Sequence, residues 1–354
     1  MFIFDREKLL KNRICQLNKP NFAGSSIKTF FMDATNTVTP PSRAKIYLAF
    51  AAVYLIWGST YLAIRFTIET MPPLFMSGTR FLLAGLILYL IAKMQGVANP
   101  TRAELKTSGV LAVFLVLFGN GAVAWAEQTV PSGIASLLIA TVPLWITLLG
   151  TLLFHKPRPE IKTVIGLFLG LLGIVTLIGP QNLMGQGKLD VMGLLVIVFS
   201  TVSWAFGSLY GARNKNAAAP VMSTAMQMLI GGILQLLAGS LLGEYTQLNP
   251  AAFSAKSLWA FGYLVIFGSL IGFSSYSWLI RVAPPSRVAT YAYVNPLVAV
   301  LLGWLFGGEA VTWQMLLAGL LILPAVVLIL QANAGKTDKA EKPTAVPIKE
   351  KQPS

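Results

Sequence analysis

Charge is scarce in this 354-residue chain: Asp, Glu, Lys and Arg together make up 11% of it, where soluble globular domains carry roughly a quarter. That scarcity excludes a soluble globule. There is one cysteine, Cys15, and one histidine, His155. A single thiol cannot close a disulfide within the chain, and the pair leaves too few soft ligands for an ordinary zinc site. Neither redox nor zinc chemistry is expected, and no cofactor is implied. Acids are scarcer than bases, 13 against 27, for a net charge of +14. Such a balance invites a nucleic-acid reading. The bases, however, sit in loops and tails rather than on one basic face, so no nucleic-acid partner is expected and membrane topology is the better cause.

What is plentiful is apolar sequence: 55% hydrophobic residues and a mean hydropathy of +0.68. From Ile46 onward, windows of about 20 apolar residues recur, each long enough to cross roughly 30 Å of hydrocarbon as a helix. Ten are placed, near 46–66, 74–94, 108–127, 133–154, 161–180, 190–211, 221–243, 257–280, 288–306 and 311–331. The divisions at Pro131, Pro284-Pro285 and Gly307-Gly308 rest on turn residues rather than on long polar loops. Residues 1–45 are polar and mixed in charge, with no apolar run of signal-peptide length, and read as a disordered cytoplasmic tail. Met32 precedes a short, ordinary leader into the first span and is the expected start of translation. Residues 332–354 read as a second disordered tail, basic and proline-containing.

Basic residues test the count of spans. With the N-terminus in the cytoplasm, ten spans place 23 Lys and Arg on the cytoplasmic side and two, Lys188 and Lys256, on the other, with Arg65 and Arg80 inside spans. Losing one helix would move later basic loops outside, so the expectation is ten helices with both termini cytoplasmic.

The chain also repeats itself. At a constant offset of 153, Gly119 aligns with Gly272, Trp125 with Trp278, Pro131 with Pro284, Pro143 with Pro296, Gly150 with Gly303 and Gly166 with Gly319. Earlier in each half the register shifts by a few residues: Gly58-Ser59-x-Tyr61 recurs as Gly207-Ser208-x-Tyr210, Pro73 as Pro220, and Gly85 as Gly232. Five helices per unit is an odd number, so the second copy enters the membrane from the opposite face. The expected architecture is two inverted-topology repeats, residues 46–180 (helices 1–5) and 186–331 (helices 6–10), an arrangement suited to alternating access around a midplane site.

The run WGSTYLAIR from Trp57, the Pro72-Pro73 turn followed by Arg80-Phe81, and the second-half run from Ala289 to Leu323 resemble the EamA family of the drug/metabolite transporter superfamily, its bacterial inner-membrane exporters in particular. The resemblance covers about residues 45–331 and is more specific for fold than for substrate. It implies a ten-helix carrier that exports a metabolite, amino acid or drug, its small-molecule substrate held between the two halves. The family's Gly-Glu pair after the fourth helix is matched by Gly308-Glu309, whereas the first half has Lys156 near the equivalent place. The long N-terminal tail is likewise unlike the family.

Polar groups demanded by the shared fold should recur in both copies, whereas a substrate site need not be symmetric. Arg80 pairs with Gln227, Asn120 with Phe273 and Glu127 with Ile280, so these three break the symmetry. Arg80 is either a fold-stabilising arginine or a contact for an anionic substrate. Glu127, at the end of the third helix, is either an interfacial carboxylate or a group that couples transport to protons. Asn120, between Gly119 and Gly121, lines a cavity or bonds between helices. Aromatic residues cluster on helices one, three, four and their repeats. The candidate substrate site combines Trp57, Tyr61, Arg80, Asn120 and Trp125 with Tyr210, Tyr291 and Asn295, with Glu127 as the proton-coupling candidate. Arg65 is expected to snorkel outward or pair with Glu69, and Glu309 to sit as a carboxylate at a helix N-terminus. Gly185-x-Gly187-Lys188 imitates a phosphate loop but fails its spacing. The competing classes are a lipid-modifying membrane enzyme, for which no His/Asp/Glu grouping is present, and a channel. A homodimer is compatible with the sequence.

Overall fold

The computed structural model describes residues 42–155, 159–178, 190–214, 219–283 and 288–340. The expectations for residues 1–41 and 341–354, for the Met32 start and for the Gly185–Lys188 decoy lie outside them. Ten helices follow one another in the described residues: α1 Arg43–Thr67, α2 Pro73–Met94, α3 Arg102–Ala126, α4 Ser132–Leu152, α5 Ile161–Ile178, α6 Val191–Arg213, α7 Pro220–Leu241, α8 Ala255–Val282, α9 Tyr291–Phe306 and α10 Trp313–Ala340. Seven, α1 to α4 and α6 to α8, are long and apolar enough to cross a membrane, while α5, α9 and α10 hold shorter apolar stretches. The outer surface of the bundle is correspondingly greasy, with Phe168, Trp259 and Leu320 largely exposed, as suits side chains that meet lipid.

Local chemistry sets the helix ends. Pro73 and Pro220 occupy the first turns of α2 and α7, where a missing N–H costs nothing. Helix α3 begins at Arg102 rather than near 108 because Thr101 and Glu104 form a reciprocal capping box that extends it by two polar turns. Helix α10 runs to Ala340, so residues 332–340, expected as tail, are helical. No proline interrupts them before Pro343, and five of the nine are Ala or Lys, which carry little helical penalty. Helix α4 breaks at Ala140-Thr141, just ahead of Pro143.

The packing repeats in pairs. Helix α2 lies along α7 and α5 along α10; α1 packs on α8 and α9 just as α6 packs on α3 and α4. The first helix of each half thus touches the third and fourth of the other. Wide, π-helical turns interrupt α3 at Ala112–Gly121 and α8 at Leu264–Phe273, matching places in the two halves, with a shorter one in α1 at Ala52–Ile56. Two glycines 153 residues apart mark a pair of matching close approaches. A Cβ on Gly119 would lie 2.7 Å from the Trp204 ring, and one on Gly272 would lie 2.6 Å from the Trp57 ring. No real Cβ tolerates such a distance, so both positions need glycine. The turn after α4 places His155 at φ 53°, and the turn after α9 places Gly308 at φ 65°, the same left-handed bend 153 residues later.

Candidate functional site

A cavity lies between the halves in the middle of the bundle. It encloses roughly 550 Å³ of empty space, open solvent at its mouth included, of which about 60 Å³ is available to the centres of water-sized molecules. That is room for several waters or a compact solute, since one water needs about 10–15 Å³ on this measure. Five of the eight sequence candidates line it: Trp57 and Tyr61 from α1, Arg80 from α2, Asn120 from α3 and Tyr291 from α9. Thr60, Ser200 and Trp204 line it as well. Sequence reasoning passed over Ser200, yet its place one turn before Trp204 on a helix carrying the repeated Gly207-Ser208 step is the signal that could have found it.

Arg80 is 3% exposed, and its Nε donates to Ser269 Oγ at 2.7 Å, while its guanidinium carbon lies 4.6 Å from the Phe81 ring centroid. No ion pair to it is present among the described residues. An arginine two turns inside a span costs about 2.5–3.5 kcal/mol even on the lenient insertion scale. Its remaining N–H donors are therefore groups an anionic ligand could satisfy. Asn120 Nδ2 donates to Leu115 O at 3.0 Å, five residues back. That bond fits the widened turn, where a carbonyl loses its usual i+4 partner.

An aromatic cluster closes one side of the cavity. Ring centroids separate Trp57 and Tyr276 by 5.0 Å, Trp57 and Trp204 by 5.5 Å, and Trp57 and Tyr291 by 5.6 Å. Its polar tips are satisfied internally: Trp57 Nε1 donates to Gly268 O at 3.3 Å, Trp204 Nε1 donates to Tyr276 Oη at 3.1 Å, and Ser208 Oγ and Tyr276 Oη lie 2.7 Å apart. Beyond the cluster is a second, tighter cavity of about 390 Å³ of empty space, with about 20 Å³ for water centres, lined in part by Ser208, Leu209, Tyr276 and Tyr291.

The other candidates lie elsewhere. Trp125 packs on the core formed around Leu137, Ile197 and Val326. Tyr210 stacks on Phe206. Asn295 is 2% exposed, and neither atom of its amide has a hydrogen-bond partner. Glu127 has no exposed surface, and neither of its carboxylate oxygens has a partner. Tyr61, Arg65, Arg80 and Glu309 are the charged or titratable groups within electrostatic reach of it.

One expectation about a charged side chain needs correction, and another is made specific. Arg65 does not pair with Glu69; its Nη1 donates to the backbone oxygens of Glu127 at 2.5 Å and Gln128 at 3.3 Å. Those are unfilled carbonyls where α3 ends, which attract a cation. Glu69 instead pairs with Lys256 at 2.6 Å. Glu309 is a helix N-terminal carboxylate, but not of the helix that follows it. Its two oxygens accept from Ser132 N at 2.8 Å and Gly133 N at 3.0 Å, the first turn of α4. Glu244, after α7, does the same for α2, accepting from Leu74 N at 3.0 Å and Phe75 N at 2.8 Å. Both brackets supply the acceptor that a proline-led helix start lacks. Burial pushes the Glu244 carboxyl above its ordinary range despite these N–H bonds, whereas the Thr129 hydroxyl 2.7 Å away holds Asp190 below its own.

Among the described residues no group of three His, Cys, Asp or Glu is placed to hold a metal ion. The model of the EamA-like transporter family matches the chain twice, over residues 44–179 and 191–331. The chain is 40% identical over 304 residues to the uncharacterized inner membrane transporter YedA of Escherichia coli K12, covering 86% of this chain and 95% of that one. It is 26% identical over 319 residues to the uncharacterized transporter YvbV of Bacillus subtilis, covering 88% and 98%. A crystal structure of a protein 22% identical to it superposes with a TM-score of 0.58 over 82% of this chain and all of the other, a likeness of fold. Two matched halves, an all-helical apolar bundle and these relatives agree: the chain is a membrane transporter, not an enzyme, and belongs to the EamA-like transporter family.

Proposed function

We propose that this protein is a secondary transporter of the bacterial inner membrane that exports a small organic metabolite, amino acid or drug by alternating access. In this reading all ten helices span the bilayer, the two five-helix halves have inverted topology, and both termini are cytoplasmic. The paired contacts of the halves and the distribution of basic residues support it. Trp57, Tyr61, Arg80, Asn120 and Tyr291 hold the substrate in the central cavity. Trp125, Tyr210 and Asn295 are not part of that wall in this conformation.

The observation that carries the reading is Arg80: a buried guanidinium without an ion pair in the described structure, aimed into a cavity between the halves. A substrate bearing a carboxylate or another anionic group complements it. Glu127, buried and unpartnered, is the group by which protons couple to the movement.

The experiment is untargeted metabolomics of medium from overexpressing, deleted and Arg80→Gln cells, followed by counterflow of the compound found in proteoliposomes. Export that is lost on deletion and lowered by Arg80→Gln, with normal membrane insertion of the variant, is the expected result. Unchanged flux through Arg80→Gln would remove Arg80 from the site. Failure of counterflow, with flux that never saturates, would make the protein a channel.

A further inference from the structure

The two cavities lie on opposite sides of the aromatic cluster. The larger is reached from late α1, early α2 and late α3, which all lie toward one end of the bundle; the smaller is lined by late α6, late α8 and early α9, toward the other. The linings are also related through the repeat. In the register that aligns Gly58 with Gly207, Thr60 of the larger cavity corresponds to Leu209 of the smaller. In the register that aligns Gly119 with Gly272, Val123 of the larger corresponds to Tyr276 of the smaller.

These two correspondences are what is expected if the smaller cavity is the contracted counterpart of the larger one. Exchanging the conformations of the two halves would widen it, and each wall residue of the larger cavity names a counterpart that would then face solvent. Tyr61 names Tyr210, Arg80 names Gln227 and Val142 names Asn295. Two of these, Asn295 and Gln227, are buried polar groups, and the present conformation leaves Asn295 without partners. Both amide atoms of Asn295 are unpartnered at 2% exposure, and for Gln227, 4% exposed, the side-chain bond seen is from its Nε2 to Ser223 Oγ at 3.2 Å. A buried amide without partners is costly and calls for an explanation. A second conformation in which water or substrate satisfies it supplies one.

We propose that Asn295, Gln227 and Tyr210 form the wall of the pathway at the end of the bundle where α2 gives way to α3, with the two buried amides exposed only when the smaller cavity opens. The inference rests on the inverted-repeat reading of the transporter. It also fixes the chemistry of that pathway: neutral amides and a phenol where the other side presents a guanidinium.

The test is side-specific thiol labelling of the full chain in a Cys15→Ser background, with a membrane-impermeant maleimide applied to right-side-out and to everted vesicles. Ala98→Cys and Ala251→Cys, in exposed loops at opposite ends, mark the two sides, and Asn120→Cys marks the larger cavity. Asn295→Cys and Gln227→Cys should react from the Ala98 side alone, and Asn120→Cys from the Ala251 side. Because a minor conformer is populated at about 0.1–10%, their rates should be about 10- to 1,000-fold below that of Ala98→Cys. Reaction of Asn295→Cys and Gln227→Cys from the Ala251 side, or from neither side, with both markers behaving, would overturn the assignment and leave the ten-helix reading standing. Markers that react from the same side would overturn both. Using two positions guards against one variant that fails to insert.

Discussion

Replacing Glu309 with alanine should loosen the whole bundle although the residue lies in a turn. Its carboxylate accepts two backbone N–H groups, Ser132 at 2.8 Å and Gly133 at 3.0 Å, and both belong to the first turn of a helix that starts behind Pro131. Ser132 is fully buried, so water does not readily replace the lost acceptor. A hydrogen bond to a charged group contributes about 1.5–3 kcal/mol net, and Glu309 is only partly buried, so the lower end applies to each bond and the pair is worth ~3 kcal/mol. Glu309→Gln keeps one acceptor oxygen and turns an amide donor toward the second N–H, so it should cost about half as much. For large domains 1 kcal/mol moves Tm by ~2–4 °C, which puts the alanine variant roughly 6 °C or more below the parent. The measurement is thermal unfolding in detergent, read by tryptophan fluorescence, with the order parent, Gln, Ala. An alanine variant that melts with the parent would show that this bracket holds nothing, and with it the idea that the second half fastens the helix starts of the first.

Gly119→Ala and Gly272→Ala each drive a methyl group into an indole at under 3 Å, and over-packing of this kind costs about 1–3 kcal/mol; comparable Tm losses for the two, in the same melting assay, are expected from the repeat. Glu244 has its folded carboxyl pKa raised above 4.5, mainly by burial. The folded state therefore holds its proton at pH values where the unfolded chain has released it, and the group's contribution to stability falls as pH rises through that window. The difference in Tm between the parent and Glu244→Gln should shrink or reverse sign in that direction, and a pH-independent difference would count against it. Glu127→Gln should leave insertion intact and abolish any pH dependence of transport in proteoliposomes; an unaltered pH profile would exclude proton coupling at this residue.

The scaffold was readable because it is written twice. Ten apolar windows, the proline and glycine pairs at a fixed offset and the Gly-Ser-x-Tyr steps all report local requirements of a helix in lipid, and these recur in the structure as paired contacts, paired π-helical turns and paired glycine-indole approaches. Where a helix end depends on hydrogen bonding rather than on hydropathy, apolar windows misplace it. The capping box of Thr101 and Glu104 starts α3 early, in polar sequence that no hydropathy window selects.

The site was legible only in part, and the dividing line is physical. Arg80 and Asn120 stood out because a polar side chain in hydrocarbon has few innocent explanations, and both line the central cavity. Tyr210 and Trp125 were drawn in by residue type, and an aromatic ring packs on a core or lines a cavity with equal ease; one stacks on Phe206, the other rests on the core. The partners of Glu244 and Glu309 were beyond reach for a different reason. Each carboxylate meets backbone N–H groups 169 to 177 residues earlier in the chain, and a backbone donor carries no side-chain signature. What the sequence does show is the asymmetry: Lys156 stands near the repeat position of Glu309, and a lysine cannot accept from a helix N-terminus. The glutamate of the Glu309 bracket is therefore not repeated at the corresponding place in the first half. If the proposed alternating access holds, halves that match in packing but differ in these bonds predict unequal populations of the two conformations, and Glu309→Ala should shift that balance, read as a change in the labelling rate of Asn295→Cys.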